Sequence, residues 1–212
     1  MSARTAISML VLGLFAVTLS TVTLSTVAEP PALQGPDAFA SIPDPGERSK
    51  ALFSEAGRVL LHPRCVNCHP AGDEPRQGDE GKPHEPWVQR GKIGMGVPGL
   101  RCNACHSTEN FDFGGLPGGV PGAPGWHLAP ESMAWEGRTI GELCEQLKDP
   151  DRSHMDLDGL VRHVSEDRLV GWAWDPGGGR EAPPGSQRQL GELIRAWVET
   201  GAVCPTIPDP ES

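Results

Sequence analysis

The sequence predicts a mainly α-helical chain with extensive Gly/Pro-rich loops. Three observations carry that reading. Apolar residues recur at helical spacing in four segments. Gly (27) and Pro (22) are abundant in the 212 residues and Tyr is absent, so a large regular core cannot form unaided. The pentapeptides Cys65-Val66-Asn67-Cys68-His69 and Cys102-Asn103-Ala104-Cys105-His106 share the form Cys-x-x-Cys-His, each preceded by Arg (Arg64, Arg101).

Taken in order, the chain begins with one cation, Arg4, and an uncharged run from Thr5 to Ala28 whose apolar part spans Ile7 to Leu19. The small residues Ser25-Thr26-Val27-Ala28 precede Glu29-Pro30. This is the layout of a secretory signal peptide over 1–28, cleaved after Ala28. Retention as a membrane anchor is the alternative, and only then is a membrane a partner. Residues 29–44 are Pro-rich and read as a flexible, extended tether.

Asp44-Pro45-Gly46-Glu47 supplies a cap, a helix-starting Pro and a Glu at the third position. A helix over 45–61 follows, with Leu52, Ala56, Val59 and Leu60 on one face, and His62-Pro63 ends it. Residues 70–100 and 107–130 read as loops. Each brings back a His beside or near a Trp: His84 with Trp87 after the first motif, His127 with Trp126 after the second.

Beyond the loops, Thr139 and Glu142 make a capping-box pair for a helix through Lys148. Leu157, Leu160, Val161 and Val164 mark a helix over 156–166, with His163 at its margin. Ser186 caps a last helix carrying Leu190, Leu193, Ile194, Trp197 and Val198, which Gly201 ends.

The motifs carry the chemistry. Two thiols three positions apart can each form a thioether with a porphyrin vinyl group, and the adjacent His then reaches the iron. The pair of motifs therefore predicts two covalent haem c groups, held by Cys65, Cys68, Cys102 and Cys105, with His69 and His106 as proximal iron ligands. The fold expected is a dihaem cytochrome c architecture over 45–205 wrapped around both groups. Haem 1 falls in about 45–95, haem 2 in about 96–135, and a helical C-terminal part in about 136–205. Zinc bound by two Cys-x-x-Cys pairs is the competing reading. It is disfavoured by the long Gly/Pro-rich gap, by the His after each second Cys and by the export signal.

Distal-ligand candidates are His84 and His127, favoured by the loop repeat, then His163 and Met133, which lie on or near helical segments. Trp87, Trp126, Trp172 and Trp174 are expected against porphyrin or in the ordinary core. Cys144 and Cys204 remain, an even number that suggests one disulfide in an oxidising compartment; two buried thiols are the alternative. Removing 1–28 takes away Arg4 and no acid, moving the net charge from −10 to −11. That balance excludes nucleic acid as an expected partner and favours steering toward a basic patch or solubility alone.

Several longer phrases stand out: Gly96-Val97-Pro98-Gly99-Leu100-Arg101-Cys102, Gly122-Ala123-Pro124-Gly125-Trp126-His127-Leu128-Ala129-Pro130, Met133-Ala134-Trp135, Gln146-Leu147-Lys148-Asp149-Pro150, and Arg195-Ala196-Trp197-Val198 with Gly201-Ala202-Val203-Cys204-Pro205. Over roughly 50–205 they resemble a family of exported bacterial dihaem cytochromes labelled isoquinoline 1-oxidoreductase subunit. The resemblance implies electron acceptance from a molybdenum hydroxylase. The motifs themselves point to a periplasmic electron carrier without a catalytic acid or base. Its partners would be a dehydrogenase donor and a cytochrome or oxidase acceptor. The rival is a small dihaem enzyme, such as a peroxidase, with one open iron.

Overall fold

The computed structural model describes residues 32–114 and 116–206. The expected signal segment lies outside the described residues. Among these residues, no helix is long and apolar enough to cross a membrane.

Among the described residues the chain is mainly helical, with three small two-stranded sheets. Helix α1 (Pro45–Leu60) starts where the sequence places it, because the Asp44 carboxylate accepts from Glu47 N at 2.8 Å with Pro45 in the first turn. A one-turn helix, α2 (Pro63–Val66), then carries the first motif. Next come the antiparallel pairs β1 (Arg76–Gln77) with β2 (Lys82–Pro83), β3 (Gly96–Val97) with β4 (Leu100–Arg101), and β5 (Phe111–Phe113) with β6 (Leu116–Val120). Four further helices follow: α3 (Ile140–Lys148), α4 (Pro150–Ser153), α5 (Leu157–Glu166) and α6 (Arg168–Gly171). The last is α7 (Gln187–Glu199).

The caps expected for α3 and α7 are present. Thr139 and Glu142 satisfy each other's backbone N–H groups, and Ser186 accepts from Gln189 N. Helix α7 ends one residue earlier than expected, with Thr200 as its cap and Gly201 following at φ 102°.

The core forms where α7 packs against α1 and α5, with α3 completing it. Phe53 and Val59 meet Leu143, Leu193, Ile194 and Trp197, all withdrawn from solvent. Each such side chain contributes roughly 1.5–3 kcal/mol by leaving water. Phe53 and Trp197 pack ring to ring at 4.8 Å. Helices α5 and α7 approach closely through Gly191, where an added Cβ would lie 2.2 Å from Ser165 Oγ. Cys144 in α3 and Cys204 beyond α7 are joined by a disulfide with Cα atoms 5.5 Å apart.

Two expectations need correction. Residues 32–44 are docked rather than extended as a tether: Leu33 is buried in the core, Phe39 packs against it, and Gln34 N donates to the Glu55 carboxylate. An apolar residue on a Pro-rich segment found a groove that composition does not reveal. The loop regions after each motif are also more ordered than their composition suggests. Short hairpins pin them, and β3–β4 requires Gly96 at φ 83°, since a Cβ there would lie 2.5 Å from Leu100 O.

Candidate functional site

Both motifs sit on helical turns. In the first, α2 is capped by His62, whose Nδ1 accepts from Arg64 N, and His69 N donates to Val66 O. In the second, a 3₁₀ turn over Cys102–Ala104 follows directly from β4, and His106 N donates to Cys102 O. Residues three apart on a helical turn share one side. The turn therefore presents both thiols of a motif together, with the His one residue further on. None of Cys65, Cys68, Cys102 and Cys105 is in a disulfide.

The two motif histidines are held alike. Nδ1 of His69 lies 2.7 Å from Met133 O, and Nδ1 of His106 lies 2.7 Å from Pro121 O. A carbonyl only accepts, so Nδ1 carries the proton and Nε2 keeps its lone pair. Each ring also stacks on an indole: His69 on Trp135 with centroids 3.5 Å apart, His106 on Trp126 at 4.6 Å. Trp126 in turn meets Trp172 edge-on at 4.9 Å. Burial pushes His69 down to about 3 against the opposing Met133 hydrogen bond, helped by nearby His163, Arg90 and His127. His106 is lowered first by burial and further by His84 and Arg180, with the Pro121 hydrogen bond opposing. Both imidazoles are thus neutral at neutral pH, the form that ligates a metal. Burial pushes the Cys65 thiol up to about 12 and the Cys68 thiol up to about 11.

A cleft of about 610 Å³ is lined by Cys68, Cys102, Cys105 and His106, with His84 and His127, while Cys65 and His69 of the first motif are not among its lining residues. That is the size of a cofactor site. Arg64, Arg76 and Arg180 add positive charge to its wall. The Arg64 side chain is almost wholly buried, its Nη2 is paired with Asp79, and its Nε has no hydrogen-bond partner. A buried donor without an acceptor suits a site built for an anionic group. No three His, Cys, Asp or Glu side chains among the described residues converge to hold a bare metal ion.

The other candidates separate. His84 lies 5.9 Å from His106, ring centre to ring centre. His127 lines the cleft. His163, on α5, faces Asp167 with Nδ1 3.8 Å from its carboxylate. Met133 meets His69 through its backbone carbonyl, and its side chain is buried in the core. Among the four Trp expected at a porphyrin, Trp126 and Trp172 belong to the cleft, whereas Trp87 is 64% exposed and Trp174 packs on the core.

Three contributors are invisible to motif reading. Trp135 supports His69. Arg90 clamps the loop after the first motif to the next segment, donating to Pro70 O, Gly72 O and Ala129 O. Asn110 accepts from Trp172 Nε1 and Gly122 N, fixing the backbone beside Pro121. Of these, only Trp135 had a signal, its place in the Met133-Ala134-Trp135 phrase. Compared with protein-family models, with curated proteins and with solved structures, the chain matches none.

Proposed function

We propose that the chain is a periplasmic dihaem c-type cytochrome that carries electrons. The observation that supports this best is the matched setting of His69 and His106: each ends a Cys-x-x-Cys turn, each has Nδ1–H fixed on a backbone carbonyl, and each keeps Nε2 for a metal. Such an outer hydrogen bond fixes the tautomer and raises ligand basicity. When bound, each haem iron supplies a one-electron couple.

The protein's own residues do the rest. Cys65 with Cys68, and Cys102 with Cys105, would hold the two groups by thioether bonds. Trp135 and Trp126 keep the imidazoles from turning. Arg64 and Arg180 offer positive charge to propionates, and burial of the first motif's ligand disfavours charge there. No acid, base or nucleophile is required. Following the family resemblance, the donor is a dehydrogenase or molybdenum hydroxylase and the acceptor a cytochrome or oxidase.

Mass spectrometry of the exported protein tests the reading. The expected mass is that of a chain starting at Glu29 plus two haems; a mass without haem overturns it. Carbon monoxide added to the reduced protein then separates carrier from enzyme. An unchanged spectrum supports closed irons, and a shifted one supports the peroxidase-like alternative.

A further inference from the structure

Seven histidines are present, and their ring nitrogens sort them. In four, Nδ1 faces a backbone carbonyl: His69 on Met133 O, His84 on Pro86 O, His106 on Pro121 O and His127 on Gly125 O. All four therefore hold the proton on Nδ1 and the lone pair on Nε2. His62 has the opposite tautomer, because its Nδ1 accepts from Arg64 N. His154 meets Ser132 through Nε2, and His163 sits beside a carboxylate. The two motif histidines and the two loop histidines form one chemical set.

Their placement is crossed relative to the sequence. His84 follows the first motif in the chain, yet its ring lies 5.9 Å from that of His106, in the second motif. Two imidazoles binding one metal from opposite sides, each through a bond of about 2.0–2.1 Å, have ring centres about 6 Å apart. Hairpin β1–β2 makes this possible. It is tied to the first motif by Asn67 Nδ2 donating to Gly78 O and by Arg76 N donating to Asn67 O. Its end is extended by His84 N donating to Pro75 O, which delivers His84 into the cleft.

His127 follows the second motif, but its segment runs along the first. Ala129 N donates to Cys68 O, Leu128 N donates to Gly94 O, and Arg90 locks Ala129 O to Pro70 and Gly72. Trp126 stays with His106, while the backbone two residues past His127 is bonded to the first motif.

We propose that the distal ligands are exchanged: His84 completes the iron held by Cys102, Cys105 and His106, and His127 completes the iron held by Cys65, Cys68 and His69. This rests on the dihaem reading above. It makes both irons six-coordinate and bis-histidine, and it interlocks the two sites, since each motif's loop finishes the other's metal.

The test uses the full exported protein with its haem content confirmed by mass. His84→Ala should keep two haems, make one of them bind carbon monoxide, and return to a closed spectrum on adding imidazole. His84→Met keeps a ligand and should raise the potential of one haem in a redox titration. To assign the iron, His84→Ala is placed in single-haem proteins. With Cys65→Ser and Cys68→Ser it should open the remaining haem; with Cys102→Ser and Cys105→Ser it should change nothing. The reverse pattern overturns the exchange. Carbon monoxide inertness and an unchanged potential in the two-haem His84 variants overturn ligation by His84, while the haem mass leaves the dihaem reading standing. If His163→Ala rather than His127→Ala opens the first haem, that half of the exchange is wrong.

Discussion

Trp135 lies flat on His69, ring centres 3.5 Å apart and planes 14° from parallel, and its backbone N–H also donates to the His69 carbonyl at 2.8 Å. One residue thus fixes both the backbone and the ring of the first motif's histidine. The indole is buried and its Nε1 has no hydrogen-bond partner, so its contribution is packing and stacking alone.

Replacing Trp135 should therefore discriminate by aromaticity. Trp135→Phe keeps a ring against His69. Trp135→Leu keeps bulk but loses the stack. Urea denaturation should place the Leu variant about 0.5–1.5 kcal/mol below the Phe variant, the worth of an aromatic pair beyond its area. Equal stabilities would show that the stack contributes nothing.

The chain after α7 is held by a disulfide, by Ser49 and by Trp197 Nε1, which donates to Val203 O at 3.2 Å. The disulfide closes a loop across 60 residues, worth about 4 kcal/mol in the loop-entropy account. Ser49, fully buried on α1, donates to Trp197 O at 3.2 Å and accepts from Val203 N at 2.9 Å. Ser49→Ala leaves Val203 N without its acceptor, while Trp197 O keeps Ala202 N and Thr200 Oγ1, and should cost about 1–3 kcal/mol. Adding a reductant should lower the melting temperature of wild type and variant alike, so the two losses are seen separately. An unchanged melting temperature for Ser49→Ala would refute the role given to its hydroxyl.

Acid should loosen the entry to the first motif. Burial lowers the His62 pKa below 6.5, helped by Arg64, with Glu181 and Asp79 opposing. The unfolded chain thus binds more protons than the folded one as pH falls below about 6.5, so stability is lost on acidification and is full above that pH. Protonation also removes the Nδ1 acceptor that caps Arg64 N. His62→Asn keeps a capping acceptor and cannot titrate. Melting temperatures from pH 7.5 to 5.5 should fall less steeply in that variant; parallel curves would exclude His62 as a source of the slope.

Much of the scaffold was legible because its signals are local. The Asp44, Thr139 and Ser186 caps act within three residues, and apolar spacing alone identifies the buried faces of α1, α3, α5 and α7. The motif cysteines and histidines were likewise readable as a unit, since their chemistry is set by spacing along one helical turn. Counting cysteines left Cys144 and Cys204 as a pair, and the structure joins them.

What the sequence could not determine depends on which parts of the chain meet. Composition makes residues 32–44 a tether, but Leu33 finds a groove in the core. Proximity along the chain puts His84 with the first motif, and a place near a helical segment offers Met133 as a distal ligand. Tertiary structure sets His84 against His106 and puts the Met133 carbonyl on His69 Nδ1. Gly/Pro-rich segments have weak local preferences, so their course is decided by distant partners. Arg90, Asn67 and Asn110 provide them through hydrogen bonds to backbone groups far along the chain. The sequence alone determined the caps, the helical faces and the grouping of each motif's cysteines with a following histidine. Only the folded chain decided which of those histidines stand opposite one another, because that distance is set by long-range hydrogen bonds rather than by any local pattern.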